Sequence, residues 1–578
     1  MPTFNELKKN LKKDFSSHKK IKVALLGDTA TQFLKQAIRG TGFEQGFNID
    51  IWEANFNQIE RQVFDPSSEL FEFNPEVIII FHSAHKLLDK YNKLKLTLQN
   101  NLANTQLELV RNIVIIINSQ LKSKIIYYNY TEINDSVFGN YANKIESSFL
   151  FQLRKLNFEL MVFATKQSSF YICDLSSIQN HSGKINLFQP SIYINTEMIL
   201  KIDILPEVAK KTTDLIGAMT GSFKKCLILD LDNTMWGGVI GDDGLENIQL
   251  GSLGIGKSFT EFQYWIKKLK NRGIVLAVCS KNTESVAKEP FEKHPDMVLR
   301  LDDIAVFVAN WGNKADNIRQ IQSILNIGFD SMVFLDDNPF ERNIVRENIN
   351  GITVPELPED PADYLEFLYT LNLFETTSIS NEDVERTKQY QVEAERVVLQ
   401  KSFINEDDFL KSLNMVSFVE PFNKFNTPRV AQLSQRSNQF NLRTVRYTEA
   451  EIENSIVDEN IISFTFTLSD KFGENGMICV IILRPEDKDN LFIDTWFMSC
   501  RVLKRGMENF VLNTIVNCAK ENGYLFLKGE YIQTEKNVLV KDHYFQLGFE
   551  QATNHWILNV NSYQEKKCFI KTKYINGT

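Results

Sequence analysis

Two aspartates separated by one residue follow a short apolar run in the middle of the chain. Asp230 and Asp232 come directly after Cys226–Leu229, whose uninterrupted apolar character predicts a buried parallel strand. Ligands of open parallel sheets bind at the carboxyl ends of the strands. One carboxylate placed there could attack phosphorus, and the second could protonate the leaving group and later activate water. The alternative is that the pair is only a polar strand exit, because such short motifs also occur by chance.

Further polar residues fall at strand or helix boundaries of the same region. Ser280 ends the next apolar run and could donate a hydrogen bond to a phosphoryl oxygen. Lys314 is at the start of a predicted helix, where the helix dipole is unfavourable for a cation. This position indicates that Lys314 faces an anion or the carboxylates. Asp336 and Asp337 follow the apolar run Met332–Leu335, and their hard oxygens suit Mg²⁺ better than a transition metal.

The elements that position these residues divide the chain into three blocks, 1–214, 215–375 and 376–578. The first two alternate apolar strands with helical stretches, which predicts parallel α/β sheets. The predicted strands of the first block are Ile21–Leu26, Val77–Phe81, Ile113–Ile117 and Lys124–Tyr128. Glu375–Asn381 is polar and predicts a linker. The third block is β-rich after a charged helix, and Ser463–Leu468 alternates as a half-buried strand does. We therefore expect a three-domain α/β chain.

Composition excludes several classes of protein. The 578 residues include 64 Lys+Arg and 73 Asp+Glu, a net charge of −9 without a basic tract, which argues against nucleic-acid binding. The longest apolar runs are far below the ~20 residues of a membrane helix, so no membrane partner is expected. Met1–Phe15 lacks the apolar core of a secretory signal. Seven scattered cysteines without CxxC are typical of a reducing compartment, and we expect a cytoplasmic protein.

The order of these motifs resembles the haloacid dehalogenase (HAD) superfamily of phosphotransferases. The residues that carry the resemblance are Asp230-x-Asp232-x-Thr234, Ser280, Lys314 and Asp336-Asp337. The resemblance implies that Asp230 is the nucleophile, which forms an aspartyl-phosphate, and that Asp232 is the general acid and base. Ser280 and Lys314 would hold the phosphoryl group.

The same resemblance implies a Mg²⁺ site. Its ligands would be Asp230, the backbone carbonyl of Asp232, and Asp336 with or without Asp337. Thr234 belongs to the same motif and is a candidate for substrate binding.

Flanking residues narrow the resemblance to the FkbH-like branch of that superfamily, also called HAD-IIIC. They are Trp236–Gly244, which predicts a flap hairpin with a turn at Asp243-Gly244, and the segments Cys279–Asn282, Asn310–Lys314 and Asp336–Pro339. Trp236 and Asn282 are thus further candidates for substrate binding. Members of this branch are linked to glyceryl loading: they take the three-carbon unit of 1,3-bisphosphoglycerate, remove phosphate and pass the glyceryl group to an acyl carrier protein thiol.

The first block resembles the SGNH hydrolases, which have a flavodoxin-like fold, but its nucleophile is replaced. Thr29 of Gly27-Asp28-Thr29 stands where those enzymes have serine, and the late Asp174 and His181 have the wrong spacing. We therefore expect a scaffold or docking domain. His82 and His85 follow a predicted strand and could be catalytic, although such histidines are more often structural.

The third block resembles the α+β fold of GNAT-type acyltransferases. Ser499–Met507 is a basic, glycine-containing turn that opens a helix and would direct N–H groups, with Arg501, at an anion. Lys504 replaces a glycine of the GNAT pattern, which fits the single phosphate of a carrier's phosphopantetheine better than CoA. Cys500, or else Cys279, could hold the acyl group as a thioester; the alternative is that both are core cysteines. Gln435–Asn441 is polar enough to line a site but receives no role.

These observations predict a Mg²⁺-dependent phosphatase and glyceryltransferase. Its partners would be a phosphorylated three-carbon substrate and an acyl carrier protein. Two alternatives remain: a plain small-molecule phosphatase in a glycan or secondary-metabolite pathway, and a non-catalytic docking protein.

Overall fold

In the computed structural model the chain forms two compact units, residues 1–218 and 219–578. The structure describes residues 2–379, 386–400, 402–437, 439–499, 502–534, 536–553 and 555–573. The predicted blocks 215–375 and 376–578 both lie almost wholly in the second unit, so the boundary between them stays a prediction.

Strands and helices alternate along most of the chain. The strands are β1 Lys19–Gly27, β2 Phe47–Glu53, β3 Val77–Phe81, β4 Lys124–Tyr128, β5 Phe170–Cys173, β6 Cys226–Leu229, β7 Val275–Ser280, β8 Ile304–Ala309, β9 Met332–Leu335, β10 Val416–Glu420, β11 Ile462–Asp470, β12 Gly473–Pro485, β13 Asn490–Met498, β14 Phe526–Gly529, β15 Glu550–Gln551, β16 Trp556–Asn559 and β17 Lys571–Lys573. The α-helices of the first unit are Phe4–Asn10, Gln32–Glu44, Ile59–Phe64, Glu69–Phe73, Ala84–Lys93, Leu96–Gln99, Leu102–Gln120, Phe149–Ala164, Leu175–Ser182, Lys184–Leu187, Pro190–Thr196 and Leu205–Met219, the last of which ends at the unit boundary. Those of the second unit are Ile240–Asp243, Gly254–Asn271, Glu284–Lys293, Lys314–Leu325, Pro339–Asn348, Tyr364–Leu371, Arg386–Gln400, Glu406–Ser412, Thr427–Arg436, Glu449–Val457, Met507–Glu521 and His543–Gln546.

The first unit contains a parallel five-stranded sheet in the order β2-β1-β3-β4-β5. Three of its predicted strands are confirmed, but the strand predicted at Ile113–Ile117 is wrong. That run lies inside the helix Leu102–Gln120, where Val110, Val114 and Ile117 are buried while Ile115 is 64% exposed. Its buried residues therefore have helical spacing, which the apolar run concealed.

The second unit begins with a parallel sheet in the order β8-β7-β6-β9. Alternate residues of its central strand β6 enter apolar clusters on the two faces, Leu227 and Leu229 on one and Cys226 and Ile228 on the other. Because both faces are covered, all four residues are apolar. The register brings the ends of β6, β7 and β9 to one edge of the sheet, where Leu229 pairs with Leu335.

The remaining strands form a mixed eight-stranded sheet in the order β15-β16-β14-β13-β12-β11-β10-β17. Strands β10 to β13 are antiparallel to their sequence neighbours, whereas β13 and β14 are parallel and are connected through the helix Met507–Glu521. Two parallel sheets and one mixed sheet confirm the mixed α/β fold class. Among the described residues, no helix combines the length and apolar character needed to cross a bilayer.

Candidate active site

The carboxyl edge of the β8-β7-β6-β9 sheet brings together polar residues from three strands. Asp230 follows β6, is only 7% exposed, and its backbone N–H donates to the carbonyl of Leu335 at 3.0 Å. Ser280 is the buried last residue of β7. Burial raises the pKa of Asp230, and the nearby side chains of Lys314 and Ser280 oppose that rise. Asp336 follows β9 and is fully buried. The structure therefore places these three residues in one site, although they are up to 106 positions apart.

Lys314 joins two of the carboxylates. It begins the helix Lys314–Leu325, and its Nζ lies 3.0 Å from Asp230 Oδ2 and 2.5 Å from Asp336 Oδ2. Only 3% of its side chain is exposed. Burial would lower the pKa of Lys314, but Asp230 and Asp336 outweigh that effect and raise it. The cation at the unfavourable helix end thus faces carboxylates, one of the two arrangements that the sequence favoured.

A third carboxylate completes a group that fits a divalent cation. Oxygens of Asp230, Asp336 and Asp337 all lie within 4.8 Å of one another. Burial, followed by repulsion from Asp230, raises the pKa of Asp336 to about 7, and the same two effects raise the pKa of Asp337. A nearby cation stabilises such charged carboxylates, and a set of hard oxygen donors is the type that Mg²⁺ prefers. These residues therefore fit the predicted Mg²⁺.

Asp232 is held by three hydrogen-bond donors. Trp236 Nε1 and the backbone N–H of Ile240 donate to its Oδ1, both at 3.0 Å, and Asn282 Nδ2 donates to its Oδ2 at 2.7 Å. Trp236 is fully buried. Trp236 and Asn282, predicted to bind substrate, thus contact Asp232 in this structure, and they fix the orientation of its carboxylate.

Thr234 supports the acidic pair at the end of β9. Its hydroxyl donates to Asp337 Oδ1 at 3.3 Å and accepts from the backbone N–H of Asp337 at 3.1 Å. This contact spans 103 positions and ties the loop after β6 to the loop after β9. The substrate-binding role of Thr234 stays a prediction.

The expected flap hairpin is replaced by a different local structure. Gly237 pairs with Gln249 as an isolated antiparallel bridge, but the segment between them contains the helical turn Ile240–Asp243. Asp243 Oδ2 accepts from the backbone N–H of Val239 at 2.7 Å, which stabilises the start of that turn. The hairpin prediction was therefore wrong, because a side-chain hydrogen bond competes with strand pairing at this aspartate.

Arg342 is a residue that the sequence interpretation missed. Its Nη1 donates to the backbone carbonyls of Asp336 and Asp337 at 2.8 and 2.6 Å, and its guanidinium pairs with Glu356. Only 4% of Arg342 is exposed. It lies near the start of the helix Pro339–Asn348, so the test applied to Lys314, a cation near a helix N-terminus, is the signal that could have found it.

Of the two cysteines predicted to hold the acyl group, the structure describes only Cys279. Cys279 is fully buried in the apolar cluster on one face of the parallel sheet, and its Sγ lies 3.8 Å from the backbone carbonyl of Lys314. Burial raises its pKa far above the usual thiol value. A neutral buried thiol is a poor nucleophile. Cys500 and Arg501 lie outside the described residues.

The turn before the helix Met507–Glu521 differs from an open anion site. Lys504, the departure from the GNAT pattern, has φ of +62°, a conformation that favours glycine. Arg505 is buried, and its side chain pairs with Glu393 and with Asp470, the latter at 3.4 Å. Two carboxylates therefore share the charge of this arginine.

In the first unit, the two histidines that follow β3 have different contacts. His82 Nδ1 forms a hydrogen bond of 3.0 Å with the Tyr127 hydroxyl, and burial lowers the pKa of His82 to about 4. His85 stacks on Phe188 with ring centroids 4.1 Å apart. Thr29 is fully buried, and its hydroxyl has no hydrogen-bond partner within the described part of the chain. The Asp174 side chain accepts a hydrogen bond from the backbone N–H of Ser177 and so caps the helix Leu175–Ser182, which carries His181. In the described residues, no contact joins Asp174 or His181 to Thr29.

The fold and the site define a class of protein: an α/β protein in which one edge of a parallel sheet gathers Asp230, Ser280, Lys314 and Asp336, the residues that carry the resemblance to the HAD superfamily. The family profile described as "FkbH, N-terminal domain" matches residues 22–217. The crystal structure of the N-terminal part of the protein BF1531 from Bacteroides fragilis, containing a phosphatase domain complexed with Mg, is 60% identical. The match covers 66% of this chain and 100% of the chain in that crystal structure, with a TM-score of 0.63. The chain belongs to the FkbH family.

Solved acetyltransferases are also similar to part of the chain. The ribosomal-protein-S18-alanine N-acetyltransferase from Escherichia coli is 15% identical over 26% of this chain and 99% of that chain, with a TM-score of 0.21. An N-acetyltransferase from Staphylococcus aureus is 12% identical over 25% of this chain and 99% of that chain, also with a TM-score of 0.21. No curated protein matches the chain.

Proposed function

We propose that this protein is a Mg²⁺-dependent phosphatase of the HAD type that loads a glyceryl group onto the thiol of an acyl carrier protein. The observation that carries the phosphatase part is the buried group in which Lys314 joins Asp230 and Asp336, with Asp337 beside them. The B. fragilis relative, described as a phosphatase domain complexed with Mg, supports the same chemistry. The substrate would be 1,3-bisphosphoglycerate: a thiol would attack the carbonyl carbon of its acyl phosphate and expel that phosphate, and Asp230 would then remove the remaining phosphate from the thiol-bound three-carbon unit.

The chemistry at this edge follows from the positions of three side chains. An Asp230 carboxylate oxygen attacks phosphorus, the bond from phosphorus to the leaving oxygen breaks, and Asp232 gives that oxygen a proton. Asp232 then accepts a proton from the water that attacks the aspartyl-phosphate, which releases phosphate and restores Asp230. Lys314 neutralises phosphoryl oxygens throughout. Bound Mg²⁺, held by Asp230, the Asp232 carbonyl, Asp336 and Asp337, would add Lewis-acid stabilisation of the same oxygens.

The phosphatase part is tested by Asp230→Asn, with Asp316→Asn as the matched control. Asp316 is on the same domain, its side chain is 72% exposed, and it forms a surface ion pair with Arg319 at 2.6 Å. Asp230→Asn should abolish Mg²⁺-dependent phosphate release, whereas Asp316→Asn should retain it. Retained release in Asp230→Asn would contradict the HAD assignment.

Glyceryl transfer is tested by intact-protein mass spectrometry after mixing with 1,3-bisphosphoglycerate, generated in situ, and Mg²⁺. A mass gain for a glyceryl or phosphoglyceryl group, removable by hydroxylamine and transferable to a carrier protein, would support the transferase. Digestion would then identify the thiol and decide between Cys500 and Cys279. Phosphate release without an acyl adduct would instead favour a plain phosphatase. If folded protein gives neither phosphate release nor an acyl adduct, a different substrate or a docking role is favoured.

A further inference from the structure

An ion pair connects two loops at the carboxyl edge of the β8-β7-β6-β9 sheet, beside the phosphatase site. Lys281 follows Ser280 at the end of β7, and its Nζ donates to Glu341 Oε1 at 2.6 Å. Glu341 lies in the first turn of the helix Pro339–Asn348, which follows the acidic pair after β9. Strand β6 lies between β7 and β9. The pair therefore joins loops that are two strand spacings of about 4.8 Å apart, on either side of Asp230.

Stability alone does not explain why this pair is buried. Only 8% of the Glu341 side chain is exposed, against 37% of the Lys281 side chain. The second carboxylate oxygen, Glu341 Oε2, is buried and has no hydrogen-bond partner within the described part of the chain. Burial of a carboxylate without its full set of hydrogen bonds costs stability, and apolar residues of similar size often stabilise a protein more than a buried ion pair does. The arrangement therefore indicates a role beyond stability.

The residue after Lys281 contacts the proposed general acid. Asn282 is 4% exposed, and its Nδ2 donates to Asp232 Oδ2 at 2.7 Å. The other donors that the structure describes for Asp232, two N–H groups, both bind Oδ1. A carboxylate oxygen has two lone pairs, so Oδ2 can bind Asn282 and still exchange a proton with the leaving group. The position of Oδ2 therefore depends on where the loop after β7 holds Asn282.

The ion pair connects this loop to a firmly held helix start. Lys281 and Asn282 are consecutive, so a contact that fixes the first restricts the second. At the other end of the pair, Arg342 follows Glu341 and donates to the backbone carbonyls of the acidic pair after β9 at 2.8 and 2.6 Å. Such restriction matters for catalysis, because a misplacement of about 1 Å can reduce a rate about 100-fold.

We propose that Lys281 and Glu341 are positioning residues for the general acid, and that they act through Asn282 on the Oδ2 atom of Asp232. Neither member of the pair contacts the substrate in this scheme. The inference rests on the phosphatase part of the proposed function and adds the residues that place the proton donor. When the pair is broken, a leaving group that needs a proton should depart more slowly, whereas one that is stable as an anion should be little affected.

Steady-state kinetics of the full chain with Mg²⁺ tests the proposal on phenyl phosphate and 4-nitrophenyl phosphate. The two esters have similar shapes, but 4-nitrophenolate is the weaker base and leaves without a proton. Values of kcat/KM report the step in which the leaving group departs, because hydrolysis of the aspartyl-phosphate comes later. Lys281→Met should lower kcat/KM at least about tenfold more for phenyl phosphate than for 4-nitrophenyl phosphate.

Further variants separate positioning from folding and from general effects of charge. Lys281→Arg keeps the ion pair and should restore the native ratio of the two kcat/KM values. Asn282→Ala should show the same selective loss, and Lys281→Met added to it should cost no more than about twofold further, since both changes act on one atom. Lys288→Met breaks an ion pair with Glu284 on the next helix and should change neither value. Lys281→Met combined with Glu341→Leu leaves no unpaired buried carboxylate, and melting curves check the folding of all variants.

A selective loss for phenyl phosphate in Lys281→Met and in the double variant, restored in Lys281→Arg, supports the proposal. It is overturned if folded Lys281→Met and the folded double variant lower kcat/KM equally for both esters or for neither. It is also overturned if the losses in Lys281→Met and Asn282→Ala add fully. An active native chain with either result refutes this inference alone. A native chain that hydrolyses neither ester overturns the inference as well, and the 1,3-bisphosphoglycerate assay then decides separately whether the proposed function also fails.

Discussion

Replacing Lys314 with methionine should separate cation binding from catalysis. The ammonium lies 3.0 and 2.5 Å from two carboxylates that also belong to the predicted Mg²⁺ site. Two unit charges about 4 Å apart interact with roughly 4 kcal/mol at an effective dielectric constant of 20, and repulsion from a divalent ion is larger. If only about 1.4 kcal/mol of this repulsion survives relaxation, Lys314→Met binds Mg²⁺ about tenfold more tightly.

Catalysis should change in the opposite direction. Loss of one preorganised charge that stabilises developing negative charge typically costs about 100- to 1000-fold in turnover. Calorimetric Mg²⁺ titrations and phosphate-release rates are compared at pH 8, above the value of about 7 to which burial and Asp230 raise the pKa of Asp336. Lys293→Met is the matched control, because that lysine forms a surface ion pair with Glu289 at 2.8 Å. Such pairs contribute about 0–1 kcal/mol.

Two results would refute the reasoning. If folded Lys314→Met binds Mg²⁺ no more tightly than the native chain, the lysine does not compete with the cation for these carboxylates. If it also releases phosphate at the native rate, Lys314 does not stabilise the phosphoryl group. Circular dichroism melts exclude a trivial loss of folding, since breaking a buried ion pair destabilises a protein by about 3–5 kcal/mol.

Three other predictions follow from buried groups. Burial raises the pKa of Asp28 to about 7, so ionisation of this carboxyl destabilises the folded state as pH rises from about 4 to 7. The free energy of unfolding of Asp28→Asn should therefore exceed that of the native chain by about 4 kcal/mol at pH 8 and equal it below pH 4. Denaturation of both chains across this pH range measures the difference. Arg342→Gln should weaken Mg²⁺ binding about tenfold in calorimetry, because Arg342 holds the carbonyls of Asp336 and Asp337; native affinity would show that it only supports the helix. Cys279→Ala should keep both phosphate release and any acyl adduct seen by mass spectrometry, because this thiol packs into an apolar cluster; loss of the adduct alone would instead make Cys279 the acyl carrier.

Local patterns predicted the strands that carry the site, and the structure confirms them. Cys226–Leu229 and Met332–Leu335 are strands with the expected bounds, because a short apolar run between polar residues specifies a strand buried on both faces. The same argument failed at Ile113–Ile117, where five apolar residues belong to a helix. A run this short contains too little periodicity to distinguish the two structures, and helix length and neighbouring packing decide.

The sequence by itself determined which residue types stand at the strand ends: the two aspartates after β6, the serine of β7, the lysine at a helix start and the acidic pair after β9. These follow from chain position, since parallel strands place their carboxyl ends at one edge. Only the tertiary structure decided which atoms meet. Lys314 contacts Asp230 across 84 positions, and Arg342 folds back onto the backbone carbonyls of the acidic pair. Such contacts depend on strand register and on packing between distant elements, which no local pattern contains.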